Sequence, residues 1–205
     1  MTKWFTIVCL GDSLTVGYQS NFYSGISNGI PYTYHLENMT RTFIKTNSID
    51  ANVLIINEGI NGDSTDGMIK RLPYILSKEK PDLLILWAGI NDLSAGRNPL
   101  QVIHNLSKIV QLCKDANVSP VICSLSSVTG SNNFNRVIRK VNDLILRLCE
   151  SERLIFVDIY GPLTTKEGSL DPANSNDGIH LSDRGYYRVS ETVYESIKPI
   201  LESLK

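Results

Sequence analysis

Five apolar runs, each followed by a helical pattern, constrain this chain more than any other feature. They are "WFTIVCL" (4–10), "NVLIIN" (52–57), "DLLILWA" (82–88), "SPVICSL" (119–125) and "RLIFVDI" (153–159). The runs are nearly continuous rather than alternating, so each reads as a strand buried on both faces, as in a parallel sheet covered by helices. Helical patterns lie at 31–47, 64–80, 98–117, 132–151 and 182–204. In 98–117, Val102, Ile103, Leu106, Ile109, Val110 and Cys113 recur at helical spacing, as do Val137, Ile138, Val141, Leu144, Ile145 and Leu148 in 132–151. Pro31 suits a first helical turn, and Pro73 predicts a kink or an end to its helix. Strand then helix, five times over, predicts a three-layer α/β/α fold with a flavodoxin-like five-stranded parallel sheet in the order 2-1-3-4-5. At 205 residues, with no linker, repeat or low-complexity segment, residues 1–205 read as one domain.

Open parallel sheets bind ligands beyond the carboxyl ends of their strands. Chemistry is therefore expected where strands end. Run one gives way to Gly11-Asp12-Ser13, and run two to "EGINGDST" with Gly59, Gly62 and Asp63. Run three ends in Gly89-Ile90-Asn91-Asp92. After run five, a long polar loop ends in Asp177-Gly178-Ile179-His180; run four leads only into "SSVTGSNN".

These residues suit acyl transfer. A serine hydroxyl is a weak nucleophile until a base takes its proton, and histidine titrates in the right range. Of the three histidines, His35 and His104 fall inside helical patterns, while His180 sits where a loop meets a helix. Asp177, three residues earlier, can reach Nδ1 within one turn and leave Nε2 for Ser13. The Ser13 N–H, the Gly62 N–H and the Asn91 amide are candidate donors to a developing oxyanion. A plain turn at Gly62, or an Asx turn or helix cap at Asn91, is the competing explanation of each residue alone.

Composition closes off other classes. Net charge is −1, from 20 basic and 21 acidic residues without a basic block or acidic tail, so no nucleic-acid partner is expected. Cys9, Cys113, Cys123 and Cys149 form no C-x-x-C pair and read as buried, reduced thiols. No apolar stretch approaches the length of a membrane span and the first residues lack a signal-peptide pattern, so a cytoplasmic protein is expected. A flavodoxin-like module that merely holds a phosphate would want G-x-x-x-x-G-K-[ST] or G-x-G-x-x-G, and neither occurs.

In order along the chain, "GDSLTVGY", "NGD" around Gly62, "GIND" and "DGIH" resemble the blocks of the SGNH (GDSL) hydrolase superfamily, over about residues 5–200. The resemblance implies Ser13 as nucleophile and oxyanion donor, Gly62 and Asn91 as further donors, His180 as general base and then acid, and Asp177 as its orienting carboxylate. It implies structural roles for Asp12 and Asp92. It also implies hydrolysis of esters or thioesters by lipase/esterase-type chemistry, with a small-molecule ester as substrate and neither cofactor nor metal. With no amphipathic lid evident, short acyl chains are expected; a carbohydrate O-deacetylase or an acyltransferase with the same triad is the alternative. The stretch 19–30, with Phe22 and Tyr23, is either part of a substrate pocket or a mobile loop. The loop 161–176 is expected beside His180.

Overall fold

The computed structural model describes residues 3–21 and 25–204. In chain order its strands are β1 (Lys3–Gly11), β2 (Tyr18–Asn21), β3 (Gly25–Asn28), β4 (Ala51–Gly59), β5 (Leu83–Trp87), β6 (Ser119–Cys123) and β7 (Ile155–Val157). The helices are α1 (Ser13–Val16), α2 (Tyr32–Thr46), α3 (Thr65–Glu79), α4 (Ile90–Ser94), α5 (Pro99–Asp115), α6 (Asn132–Glu152), α7 (Tyr160–Leu163) and α8 (Asp183–Glu202). A 3-10 turn spans Pro172–Asn174.

The five apolar runs form one all-parallel sheet in the order β4-β1-β5-β6-β7. Numbered among themselves, these strands stand 2-1-3-4-5, the expected flavodoxin-like order. Every residue of β5 is buried. Burial of each such leucine or isoleucine stabilises the fold by about 1.5–3 kcal/mol, which explains why the runs are continuous. Helices cover both faces: α2 packs on α8 on one, and α3, α5 and α6 pack in succession on the other. Helix α6 buries Asn135, Ile138, Val141, Ile145 and Cys149, one stripe at helical spacing. All four cysteines are free and buried.

Three local features refine the expectation. Pro31 is the residue before α2 rather than its first, with φ −65° and ψ 154°. Helix α3 runs through Pro73 to Glu79. An interior proline costs about 3 kcal/mol. Pro73 lies on the exposed face, however, and Met68, Leu72, Ile75 and Leu76 on the other face are buried, each contributing about 1.5–3 kcal/mol, so core burial outweighs the break. The stretch after the first block contains an antiparallel hairpin, β2 with β3, rather than only a loop. Phe22 and Tyr23 lie outside the described residues.

Register places the rim. Gly11, the last residue of β1, pairs with Gly59 at the end of β4 and with Trp87 at the end of β5. The segments carrying residues 13, 62 and 91 therefore leave the sheet side by side. Among the described residues, no helix is long and apolar enough to cross a membrane.

Candidate active site

The strand-to-helix turn after β1 is capped by its own sequence. Asp12 is the N-cap of α1, and its Oδ1 accepts the Leu14 N–H at 3.0 Å. Gly17 closes the short helix at φ 87°, a left-handed conformation that glycine takes without a Cβ penalty. Ser13 is the first helical residue, so no intrahelical acceptor takes its N–H. Asp12 is 1% exposed. Burial pushes its carboxyl up to about 7; the Leu14 N–H opposes this and the charges of Asp63 and Asp92 add to it.

Ser13 Oγ lies 3.1 Å from His180 Nε2, across 167 residues of sequence. His180 Nδ1 lies 2.8 Å from Asp177 Oδ2. Asp177 Oδ1 also accepts the N–H groups of Ile179 and His180, at 2.9 and 2.7 Å. Burial raises the Asp177 carboxyl, but these three donors outweigh it and hold the group below its usual range. An ionised carboxylate only accepts, so in the neutral imidazole the His180 ring proton belongs on Nδ1, which leaves the lone pair of Nε2 to face the Ser13 hydroxyl.

The other candidates stand on the neighbouring loops. Ile60 to Asp63 forms a turn closed by the Asp63 N–H on the Ile60 carbonyl at 3.1 Å. Gly62 occupies it at φ 73°, with nothing within 4 Å of where a Cβ would stand. Among the described residues no acceptor takes the Gly62 N–H. Asn91, in α4, donates Nδ2–H to the Asp63 carbonyl at 2.9 Å, which leaves its second amide proton free. Asp92 is fully buried and accepts the Thr65 N–H and hydroxyl at 2.9 and 2.7 Å. Asp12 and Asp92 thus brace loops, as expected. His104 is on α5, and His35 is on α2 in a separate open groove of about 470 Å³ beside α8, with Met39, Phe43, Tyr187 and Tyr194.

Several supports were not legible in the sequence. The Tyr18 ring packs on that of His180 with centroids 4.4 Å apart, and the Tyr186 hydroxyl donates to the Tyr18 carbonyl at 2.7 Å. Asn57 Nδ2 donates to the Thr15 carbonyl at 2.7 Å and its Oδ1 accepts the Gly59 N–H at 3.0 Å. The segment after run four, without catalytic-type residues, supplies the Thr129 N–H that donates to the Gly178 carbonyl at 2.7 Å. From the 161–176 loop, Ser175 Oγ donates to the His180 carbonyl at 2.6 Å, which puts the end of this loop beside His180. Arg71, in mid-α3, bonds to the end of β1, to β4 and to the turn after β4. None of these belongs to a spacing pattern; each is defined only by what the fold brings to it.

Beside the rim, Ile90, Leu93, Val128, Phe134 and Ile179 line a depression of about 460 Å³. Ile90 adjoins Asn91 and Ile179 adjoins His180, so this apolar surface begins at two of the candidate residues. Among the described residues, no group of three or more His, Cys, Asp or Glu is placed to hold a metal ion.

Residues 9–188 match the GDSL-like lipase/acylhydrolase family. An arylesterase of Vibrio mimicus is 26% identical over 193 residues, which cover 93% of this chain and 87% of that protein. The thioesterase 1/protease 1/lysophospholipase L1 of Escherichia coli is 28% identical over 198 residues, covering 96% of this chain and 85% of that one. Among solved structures, a carbohydrate acetylesterase from Sinorhizobium meliloti matches with a TM-score of 0.78 at 17% identity, over 96% of this chain and 99% of the other, a likeness of fold.

Proposed function

The chain belongs to the GDSL-like lipase/acylhydrolase family, and from that premise we propose that it is a serine esterase that hydrolyses carboxylic esters with short acyl chains. The observation that carries the reading is the contact chain from Ser13 Oγ through His180 to Asp177, at 3.1 and 2.8 Å. Ser13 attacks the acyl carbonyl while His180 Nε2 takes the hydroxyl proton. Asp177 stabilises the imidazolium that forms. The N–H groups of Ser13 and Gly62 and the free amide proton of Asn91 receive the oxyanion. Protonated His180 then gives its proton to the departing alkoxide. Water, activated by the same imidazole, releases the acid from the acyl-enzyme.

The acyl group is assigned to the depression between Ile90 and Ile179, whose lining offers apolar contact. No metal or cofactor is needed for these steps. A panel of p-nitrophenyl esters of increasing chain length, with acetylated sugars alongside, tests the substrate class. The highest kcat/KM is expected at two to four acyl carbons, and none in Ser13→Ala. A maximum at eight carbons or more, or turnover confined to acetylated sugars, overturns the short-chain reading.

A further inference from the structure

One half-buried cation, Arg71, bonds to the end of β1, to β4 and to the turn after β4, the segments that lead to the proposed oxyanion donors. Arg71 donates Nε–H to Asp63 Oδ2 at 2.9 Å. Its Nη2 donates to the Gly11 carbonyl at 3.1 Å and the Glu58 carbonyl at 2.8 Å. Its Nη1 lies 3.5 Å from Glu58 Oε2, and the side chain is 18% exposed. Each acceptor leads to a donor. Gly11 precedes Asp12 and Ser13, and its carbonyl also accepts the Ile60 N–H at 3.1 Å. Glu58 leads into the turn that holds Gly62. The Asp63 carbonyl is the acceptor that fixes the Asn91 amide. The Ser13, Gly62 and Asn91 donors are thus all referred to one guanidinium.

We propose that Arg71 is a positioning residue for the oxyanion site, setting the spacing of the Ser13, Gly62 and Asn91 donors; this rests on the esterase reading above. Arginine suits the task because its planar fork presents fixed N–H directions to several acceptors, whereas the ammonium of lysine is a compact point charge on a flexible stem. Oxyanion donors act within a narrow range of distances, and a shift of about 1 Å in such a group can cost about 10²-fold in rate. A clamp that served stability alone would change the melting temperature and leave kcat in place.

The test compares Arg71→Lys and Asp63→Asn with the unchanged protein and Ser13→Ala, using a short nitrophenyl ester, circular dichroism and thermal melting. Arg71→Lys is expected to keep its dichroism and lose about 10- to 100-fold in kcat, with KM within about threefold. The acid limb of kcat/KM stays where it was, because His180 and Asp177 are not touched. The loss caused by Asn91→Ala is expected to be at least about threefold smaller in the Arg71→Lys background than alone, since both act through Asp63. Asp63→Asn is expected to give a smaller loss of the same kind, and carries the test if Arg71→Lys does not fold. Folded variants with kcat within about twofold of the unchanged protein, a loss confined to KM, or losses that multiply fully with Asn91→Ala overturn the proposal. If Ser13→Ala still turns over, the esterase reading fails and this inference with it. If Ser13→Ala is inactive and Arg71→Lys fully active, this inference alone fails.

Discussion

Asp12→Asn separates a structural carboxylate from the serine beside it. Asp12 is buried, and its carboxyl rises from the usual 3.8 to about 7, chiefly through burial, against the pull of the Leu14 N–H and with the help of Asp63 and Asp92. An acid harder to ionise folded than unfolded favours the fold while both states are protonated. That advantage begins to go above pH 3.8 and is gone above about pH 7. A tenfold change in proton affinity is worth about 1.4 kcal/mol, so the whole loss is about 4 kcal/mol, of which roughly 2–3 kcal/mol falls between pH 5 and pH 8. Asparagine can still accept the Leu14 N–H as an N-cap and cannot ionise. Urea unfolding at both pH values is the assay. The unchanged protein is expected to lose roughly 2–3 kcal/mol more than Asp12→Asn on going from pH 5 to pH 8. Parallel pH curves, differing by less than about 0.5 kcal/mol, would refute the reasoning and mean that Asp12 stays ionised in the fold.

Two further substitutions probe the rim. Asp177→Asn is expected to lower kcat by about 10⁴ with the fold intact, because the imidazole loses the acceptor that fixes its tautomer; a loss under about tenfold counts against the role given to Asp177. Since the Asp177 carboxyl sits below its usual range, it stays charged at ordinary pH and contributes no limb to the pH–rate profile above about pH 4. Gly62→Ala meets open space but must hold φ 73°, so it is expected to cost about 1 kcal/mol in stability and to lower kcat as the N–H swings from its place; thermal melting and steady-state rates read both, and an unchanged kcat removes Gly62 from the oxyanion site.

The sheet was legible because its strands are covered on both faces, so burial writes itself as runs such as "LLILW" in β5. The amphipathic stripes of α5 and α6 were legible for the same reason. The β2–β3 hairpin was not: "YQSN" and "GISN" carry neither an apolar face nor a Pro-Gly turn signal. Pro73 does not end α3, because the burial of four neighbours outweighs its local propensity. At the site, residues 12, 13, 62, 91, 92, 177 and 180 could be picked out because each follows a strand and is of a type suited to the chemistry. Arg71 and Tyr18 could not. Arg71 reads as one more charged residue in "MIKRLPYIL", and only the convergence of Gly11, Glu58 and Asp63 on it reveals its place. Tyr18 meets His180 only because the hairpin and the loop before α8 share the rim.

Covalent labelling tests the proposed nucleophile most directly. The protein is treated with a p-nitrophenyl phosphonate ester and examined by intact-mass and peptide mass spectrometry. A single phosphonyl adduct on Ser13, absent from Ser13→Ala and formed far more slowly in His180→Ala, is the expected result. No adduct, or an adduct on another residue with Ser13→Ala still turning over ester, would contradict the account.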